Sequence, residues 1–332
     1  MHQETFMHLP SRRNSLWALG GLAAGSLPLN AYAQSNWPER AISIIVPSAA
    51  GGAADFTGRS FAQALSRALN GAAVTVDNRA GAGGIVGTIA ARNAAPDGHA
   101  FLISTNSTHS ANPFLYLKPG YDPQREFEPV GLFGKFGTVL IVPAGSPYRS
   151  LTDLIEAARK TPGKLTFGYY SSSSQVPSEL LKARARIDVV GASYKNITQI
   201  VTDLIGGQLD FAFLDMLSAA PALQNQSLRP IAVSAPGREP SLPDVPPVAD
   251  TLPGYAVQGW IGLHAPAATP RAIIERVNQV MGQAMADPAI RKGFESRGMQ
   301  VATLSPEGLR AFVLEDTARW KEWVALAGIK PQ

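Results

Sequence analysis

Apolar positions in this chain alternate between two patterns. Short runs dense in β-branched or aromatic residues predict buried strands, and runs spaced three or four residues apart predict helices. Ile42, Ile44, Ile45 and Val46 form the first strand run, which breaks at Pro47. The small-residue stretch 48–54 follows, and then Phe56, Phe61, Leu65 and Leu69 mark a helix. The same alternation recurs at Ala73–Val76 with a helix through Ile89 to Arg92, and at Phe101–Ser104 with a helix beginning at Thr105–Thr108. Further along it predicts strands at Val139–Val142, Leu165–Tyr169, Val189–Ala192, Leu209–Leu214, Pro230–Val233 and Val257–His264. Helices are predicted from Leu151 to Arg159, around Leu180 and Leu181, and from Ile197 to Ile205 with Gly206-Gly207 as a stop. The C-terminal part reads as helices over Pro270–Ala286, Pro288–Arg297 and Pro306–Ala327, with proline in the first turn where it is tolerated. Residues 235–254, rich in Pro, Gly and acidic residues, read as a surface loop.

Strands and helices joined by short links favour a parallel sheet covered by helices. The pattern falls into two α/β halves, with the chain crossing between them near Val139–Val142 and near Val257–His264. This is the geometry of an α/β, two-lobed body with a central ligand cleft. The expected division is lobe 1 over residues 34–138 plus 262–332 and lobe 2 over residues 139–261.

Residues 1–33 read as an export signal. Arg12 and Arg13 form a basic start, Leu16 to Leu29 is apolar but glycine-interrupted, and Ala31-Tyr32-Ala33 is a small-x-small cleavage pattern. The stretch around Arg12-Arg13 also resembles a twin-arginine signal. Cleavage after Ala33 is expected, leaving a soluble, periplasmic protein. With 332 residues, 45% hydrophobic and only 16% charged, the chain suffices for about two domains. Its net charge of +4 is well mixed, so nucleic acid is not an expected partner. Cysteine is absent, which excludes thiolate metal sites, Cys nucleophiles and disulfides.

The strand–loop–helix unit from Ile42 to Arg59 is a candidate anion-binding loop. Small residues let a ligand approach the backbone, and the first amides of a helix lack internal partners. Those amides and the helix dipole favour negative charge. The ordinary alternative is a plain strand-to-helix connection. Gly81-Ala82-Gly83-Gly84 invites a dinucleotide reading, but the glycine spacing is wrong and no acidic residue ends the next strand. Tight packing beside the cleft is the better expectation, and no cofactor is expected. His99, His109 and His264 show no metal-ligand spacing. His99 is expected at a turn surface, whereas His109 sits at a helix start near the cleft, where function competes with capping or packing. The run Ser171–Ser174 lacks a nucleophile elbow and a His–Asp partner set. Hydroxyl donors to an oxyanion, or N-caps for the next helix, explain it better. Arg59, Arg79, Lys182 and Lys195 do not cluster, so amides and hydroxyls must hold any anion.

At these residues the chain resembles the Bug-type periplasmic receptors of the tripartite tricarboxylate transporter class. The resemblance runs from Trp37 to Pro331. It rests on IIVPSAAGGAAD ending at Asp55, DNRAGAGG from Asp77, APDGHAFL from Ala95, THSANPFLY from Thr108 and YDPQREFEPVGL from Tyr121. It continues through SYKN from Ser193, LIGGQLDFAF from Leu204, LPDVPPVAD from Leu242 and GWIGLHAPAATP from Gly259. The resemblance implies a type II periplasmic-binding-protein fold and a small carboxylate or amino-acid ligand held by loop amides and bridging waters. It also implies delivery to a membrane permease of the tripartite tricarboxylate type. Four departures fall on the pocket. Ser48 stands where the family usually has Phe, and Ala53-Ala54 where it has Gly-Thr. The serine loop is shorter, with Gln175 for a common His. Phe213-Leu214-Asp215 replaces Phe-Asp-Asn.

The expected function is therefore that of a non-enzymatic, monomeric solute-binding receptor. The expected ligand residues are Ser48, Ala50, Gly51, Gly52, Ala53, Asp55, Thr105, Ser107 and Thr108 on one side, and Ser171, Ser172, Ser173, Ser174, Tyr194 and Asp215 on the other. Asp215 is expected to repel an acid or bind an amine. The competing readings are an adaptor for a membrane sensor and an exported serine hydrolase.

Overall fold

The β-branched run at Ile42–Val46 is strand β1 of a computed structural model that describes His2 and residues 37–332. The expected export signal, His2 apart, lies outside the described residues. Met1–Glu39 and Arg40–Gln332 are separate units, and the strands and helices among the described residues belong to the second. Ile42, Ile44 and Val46 of β1 are fully buried, each contributing about 1.5–3 kcal/mol relative to exposure. Burial of both faces explains the near-continuous apolar run, since β1 lies between two parallel neighbours. These are β2 (Val74–Asn78) and β3 (Ala100–Thr105). Helix α1 (Ala53–Ala68) packs on all three. Gly58 makes this approach possible: a Cβ there would stand 2.9 Å from Val46 Cγ2.

Beyond β3 the sheet turns antiparallel. β3 pairs with β9 (Gln258–Pro266), β9 with β4 (Phe127–Pro143), and β4 with β10 (Met299–Val301), giving the order β10-β4-β9-β3-β1-β2. Strand β4 changes partners along its length. Residues up to Gly137 pair with β9. Residues from Thr138 onward pair with β7 (Ala212–Asp215) and β8 (Leu228–Val233). A separate parallel pair, β5 (Thr166–Tyr169) with β6 (Val190–Ser193), completes the strands.

The helices fill the connections. They are α2 (Ile85–Arg92), α3 (Asn112–Leu115), α4 (Leu151–Lys160), α5 (Ser172–Ala185), α6 (Ile197–Ile205), α7 (Met216–Gln224), α8 (Arg271–Ala286), α9 (Pro288–Glu295) and α10 (Pro306–Leu326). Helix α10 returns to pack on β4, α5 and the 107–111 turn. It is pinned by the indole of Trp260 in β9, whose Nε1 donates to Asp316 Oδ2 at 2.6 Å. Both partners are buried.

Several elements differ from the expectations. The strand expected at Val139–Val142 is the last part of a 17-residue strand. Strand β10 and helix α7 had no sequence signal; α7 carries an internal proline, Pro221. The helix expected to start at Thr105–Thr108 is instead a π-helical turn, Ser107–Ala111, leading into α3. The expected surface loop 235–254 buries Ala235, Glu239, Val245 and Val248, and the Glu239 carboxylate accepts the Gly137 amide at 3.2 Å. His99 is also not on the surface. It is 8% exposed, and both its amide and its Nδ1 face Asp97 Oδ1, at 3.0 and 3.2 Å.

Candidate functional site

A cavity of about 800 Å³ lies where the loops after β1, β2, β3, β5, β6 and β7 converge. Its wall includes residues 47–50, 52–54, 80–84, 105–108, 171–173 and 193–197, together with Asp215. Four helices begin on it. Ala53 and Ala54 of α1, Ser172 and Ser173 of α5, Ile197 of α6 and the α7 N-cap Asp215 all line the space. Two of these starts, α6 and α7, are capped by their N-cap side chains: Asn196 Oδ1 accepts the amide of Gln199 at 3.1 Å and Asp215 Oδ1 that of Ser218 at 2.9 Å. At α5, Ser174 Oγ accepts the amides of Tyr170 and Ser171, ahead of the helix, at 3.0 and 3.1 Å. Helix α1 has no N-cap side chain at all. Its N-cap is Gly52, no side chain caps it, and the first intrahelical bond is Phe56 N to Gly52 O at 3.0 Å. The amides of Ala53 and Ala54 have no intrahelical carbonyl to reach, and both residues line the cavity together with Ser48. The Ser48 Oγ is buried and has no hydrogen-bond partner.

Asp55 holds this loop from behind. Its carboxylate accepts the Gly51 amide at 3.0 Å, Asn78 Nδ2 at 3.0 Å and Arg59 Nε at 3.1 Å. Asn78 Nδ2 also reaches Ser48 O at 3.2 Å, and Arg59 Nη2 donates to Asn78 Oδ1 at 3.1 Å. Burial works to raise the Asp55 pKa, but Arg59, the Gly51 amide and Asn78 outweigh it and hold the carboxyl below its ordinary value. The glycine turn closes the other flank. Gly81, Ala82, Gly83 and Gly84 all have positive φ, and a Cβ on Gly83 would stand 2.7 Å from the Tyr116 hydroxyl. This is the packing role expected for that run.

The two hydroxyl-rich turns touch. Asn106 Nδ2 donates to Ser172 Oγ at 3.1 Å and to Ser173 Oγ at 3.0 Å, and Ser107 Oγ lies 2.7 Å from Ser172 Oγ. Asp215 is 4% exposed, with its Oδ2 accepting the Tyr170 hydroxyl at 3.0 Å. Burial pushes its pKa up, partly opposed by the Ser218 and Tyr170 hydrogen bonds. Tyr194 donates to Asp203 at 2.6 Å, a bond that raises its pKa to about 12.

Of the expected ligand residues, Ser48, Ala50, Gly52, Ala53, Thr105, Ser107, Thr108, Ser171, Ser172, Ser173, Tyr194 and Asp215 come together on the wall. Gly51, Asp55 and Ser174 do not. Gly51 and Asp55 bond each other behind the loop, and Ser174 is turned into the start of α5. His109 lies off the wall as well. It is fully buried against Phe127, Trp260 and His264, and that burial drops its pKa to about 3. The wall also holds residues not among the expected ligand residues: Asn106, Tyr116, Phe136, Tyr170 and Lys195, the last weighed only as an isolated basic residue. Asn106 stands inside the Thr105–Thr108 run, Tyr170 abuts the serines and Lys195 follows Tyr194, so adjacency was the available signal.

A curled mixed sheet with a cavity at its loop ends is the architecture of periplasmic binding proteins. The structure matches R. palustris Rpa4515 with adipate at a TM-score of 0.86 and 28% identity, over 90% of this chain and 100% of that one. It matches the periplasmic binding protein BugD at 0.84 and 29%, over 89% and 100%. A UPF0065 protein in the tcbD-tcbE intergenic region of Pseudomonas sp. (strain P51) is 34% identical over 312 residues, 92% of each chain. The family model described as tripartite tricarboxylate transporter family receptor matches residues 57–329, and the chain belongs to that family.

Proposed function

We propose that this receptor captures a small carboxylate-bearing solute in the cavity and presents it to a membrane transporter of the tripartite tricarboxylate type. The observation that carries this reading is the bare start of α1. It offers unpartnered amides and the positive end of the helix dipole, beside a buried Ser48 hydroxyl with no partner. The adipate carried by the R. palustris neighbour supports the same chemistry. In this reading Ser48, Ala53 and Ala54 hold the carboxylate while Thr105, Ser107, Thr108 and the 171–173 serines face the rest of the ligand. Asp55 positions the loop, and Asp215 sets which ligands are refused. The two lobes, 34–138 plus 262–332 and 139–261, close on the ligand about β4 and β9, after export and cleavage behind Ala33.

The test is a thermal-shift panel of small carboxylates, amino acids, amines and neutral amides. A bound acid at a hundred times its Kd stabilises the protein by about 2.7 kcal/mol. A shift with amines or amides and with no acid removes the carboxylate reading. Ligand-dependent capture of a membrane permease tests delivery, and capture of a sensor in its place would make the protein a signalling adaptor.

A further inference from the structure

Resting on the carboxylate reading, we propose that the ligand is an aromatic monocarboxylate rather than a di- or tricarboxylate. Beyond the α1 start and the hydroxyl-rich turns, the remaining part of the wall is built of rings and aliphatic side chains. Tyr116, Phe136, Tyr169, Tyr170 and Tyr194 line it, with Leu115, Ile197 and Ile261 between them. Two of the four tyrosine hydroxyls are committed to protein partners: Tyr170 bonds Asp215 at 3.0 Å and Tyr194 bonds Asp203 at 2.6 Å. What these residues have left for a ligand is ring surface.

Charge points the same way. Among the described residues of the wall, Lys195 is the one cationic side chain, and it is exposed. Asp215 is the one carboxylate side chain among them, and it is buried. An exposed lysine attracts a second anionic group weakly. A second carboxylate brought against ionised Asp215 would meet it as a like charge, which is unfavourable. One carboxylate at α1 and a flat apolar body against the rings satisfies the α1 start and the ring-lined part of the wall. The size fits too: cavities of about 300–1,000 Å³ take ligands well beyond a four-carbon acid.

The experiment titrates the full mature chain with benzoate, phenylacetate, hexanoate, adipate, malate and citrate. Benzoate or phenylacetate is expected to bind at least about tenfold tighter than any of the three polyacids, the scale of a like-charge clash. Both are also expected to bind tighter than hexanoate, because rings pack on rings. In D215N, which keeps the cap on α7, the preference for benzoate over adipate is expected to shrink by about tenfold as the like charge is removed. Polyacids binding tighter than benzoate overturns the inference and leaves the carboxylate receptor standing. Hexanoate matching benzoate overturns the aromatic part. Failure of every acid overturns both.

Discussion

Asn106 and Ser172, 66 positions apart, are joined by a 3.1 Å hydrogen bond from the amide side chain to the serine hydroxyl. Asn106 is fully buried, and its Oδ1 also accepts from Ser173 at 3.2 Å and from the Trp260 amide at 3.4 Å. One side chain thus ties the turn after β3 to the start of α5 and to β9. Asn106→Ala removes all of these bonds from a fully buried position, although Ser172 keeps Ser107 as a partner. The expected loss is about 1–3 kcal/mol of unfolding free energy, together with weaker ligand binding. Urea denaturation measures the first and titration the second; a variant as stable as the wild type would show that the bridge is ornamental.

Asp55 makes a different prediction because it supports the binding loop without touching the cavity. Asp55→Asn removes the charge that Arg59 and the Gly51 amide converge on. Arg59 is 53% exposed, so its ion pair contributes little by itself. The larger loss is in the order of residues 48–52, and the expected outcome is a rise in Kd of about tenfold, the equivalent of one such hydrogen bond to a charged group. Unchanged affinity would refute the positioning role.

The adjoining rings of His109 and His264, tilted by 34°, predict acid sensitivity. Their ring centroids are 4.1 Å apart, both are buried, and burial holds both pKa values below the ordinary 6.5, His109 at about 3. Each is neutral when folded and takes up a proton on unfolding below pH 6.5. Stability therefore falls as pH drops below 6.5, by up to about 1.4 kcal/mol per pH unit for each histidine, and for His109 this continues to about pH 3. The buried carboxyls of Asp215 and Glu239 are pushed the other way by burial and oppose this trend between their folded and unfolded values. Comparison with His109→Phe isolates the histidine contribution. The wild type should lose stability more steeply between pH 6 and 4, and parallel curves would contradict the assignment.

At Gly58 two effects compete. Alanine gains up to about 1 kcal/mol in helix propensity over glycine. Its Cβ would stand 2.9 Å from Val46 Cγ2 and 3.4 Å from Ile103 Cγ1 in a packed core, and overpacking of that kind costs about 1–3 kcal/mol. Gly58→Ala is expected to be destabilising on balance, by thermal melting. A gain in stability would mean that the β1 layer yields more easily than its burial implies.

The parallel layer around β1 was readable because strands covered on both faces announce themselves as apolar runs. The first part of β4 was not. Gly131, Gly134 and Gly137 interrupt its pattern, and each glycine answers a distant neighbour. A Cβ on Gly134 would stand 2.5 Å from Gln300 O on β10, 166 positions away. No local pattern records that demand. The cavity wall was legible in the same uneven way. Hydroxyl and small-residue turns after strands were visible, and most came together. Asp55 was misplaced because an acidic residue in a helix's first turn looks the same whether it faces a ligand or its own loop. Phe136 and Tyr116 went unseen because an aromatic side chain in a strand or helix reads as core.

Strand β4 exchanges its neighbours between Gly137, opposite Gln258 of β9, and Thr138, opposite Asp215 of β7. One continuous backbone therefore belongs to both groups of strands, and the handover falls on a glycine. A change of angle between the two groups would fall as twist on the few dihedrals at this handover, leaving the ladders on either side intact. Because Asp215 is paired to the first residue past the handover, any such twist also moves the cavity's one buried carboxylate. In the proposed receptor, opening angle and ligand discrimination would thus be geared to the same few residues.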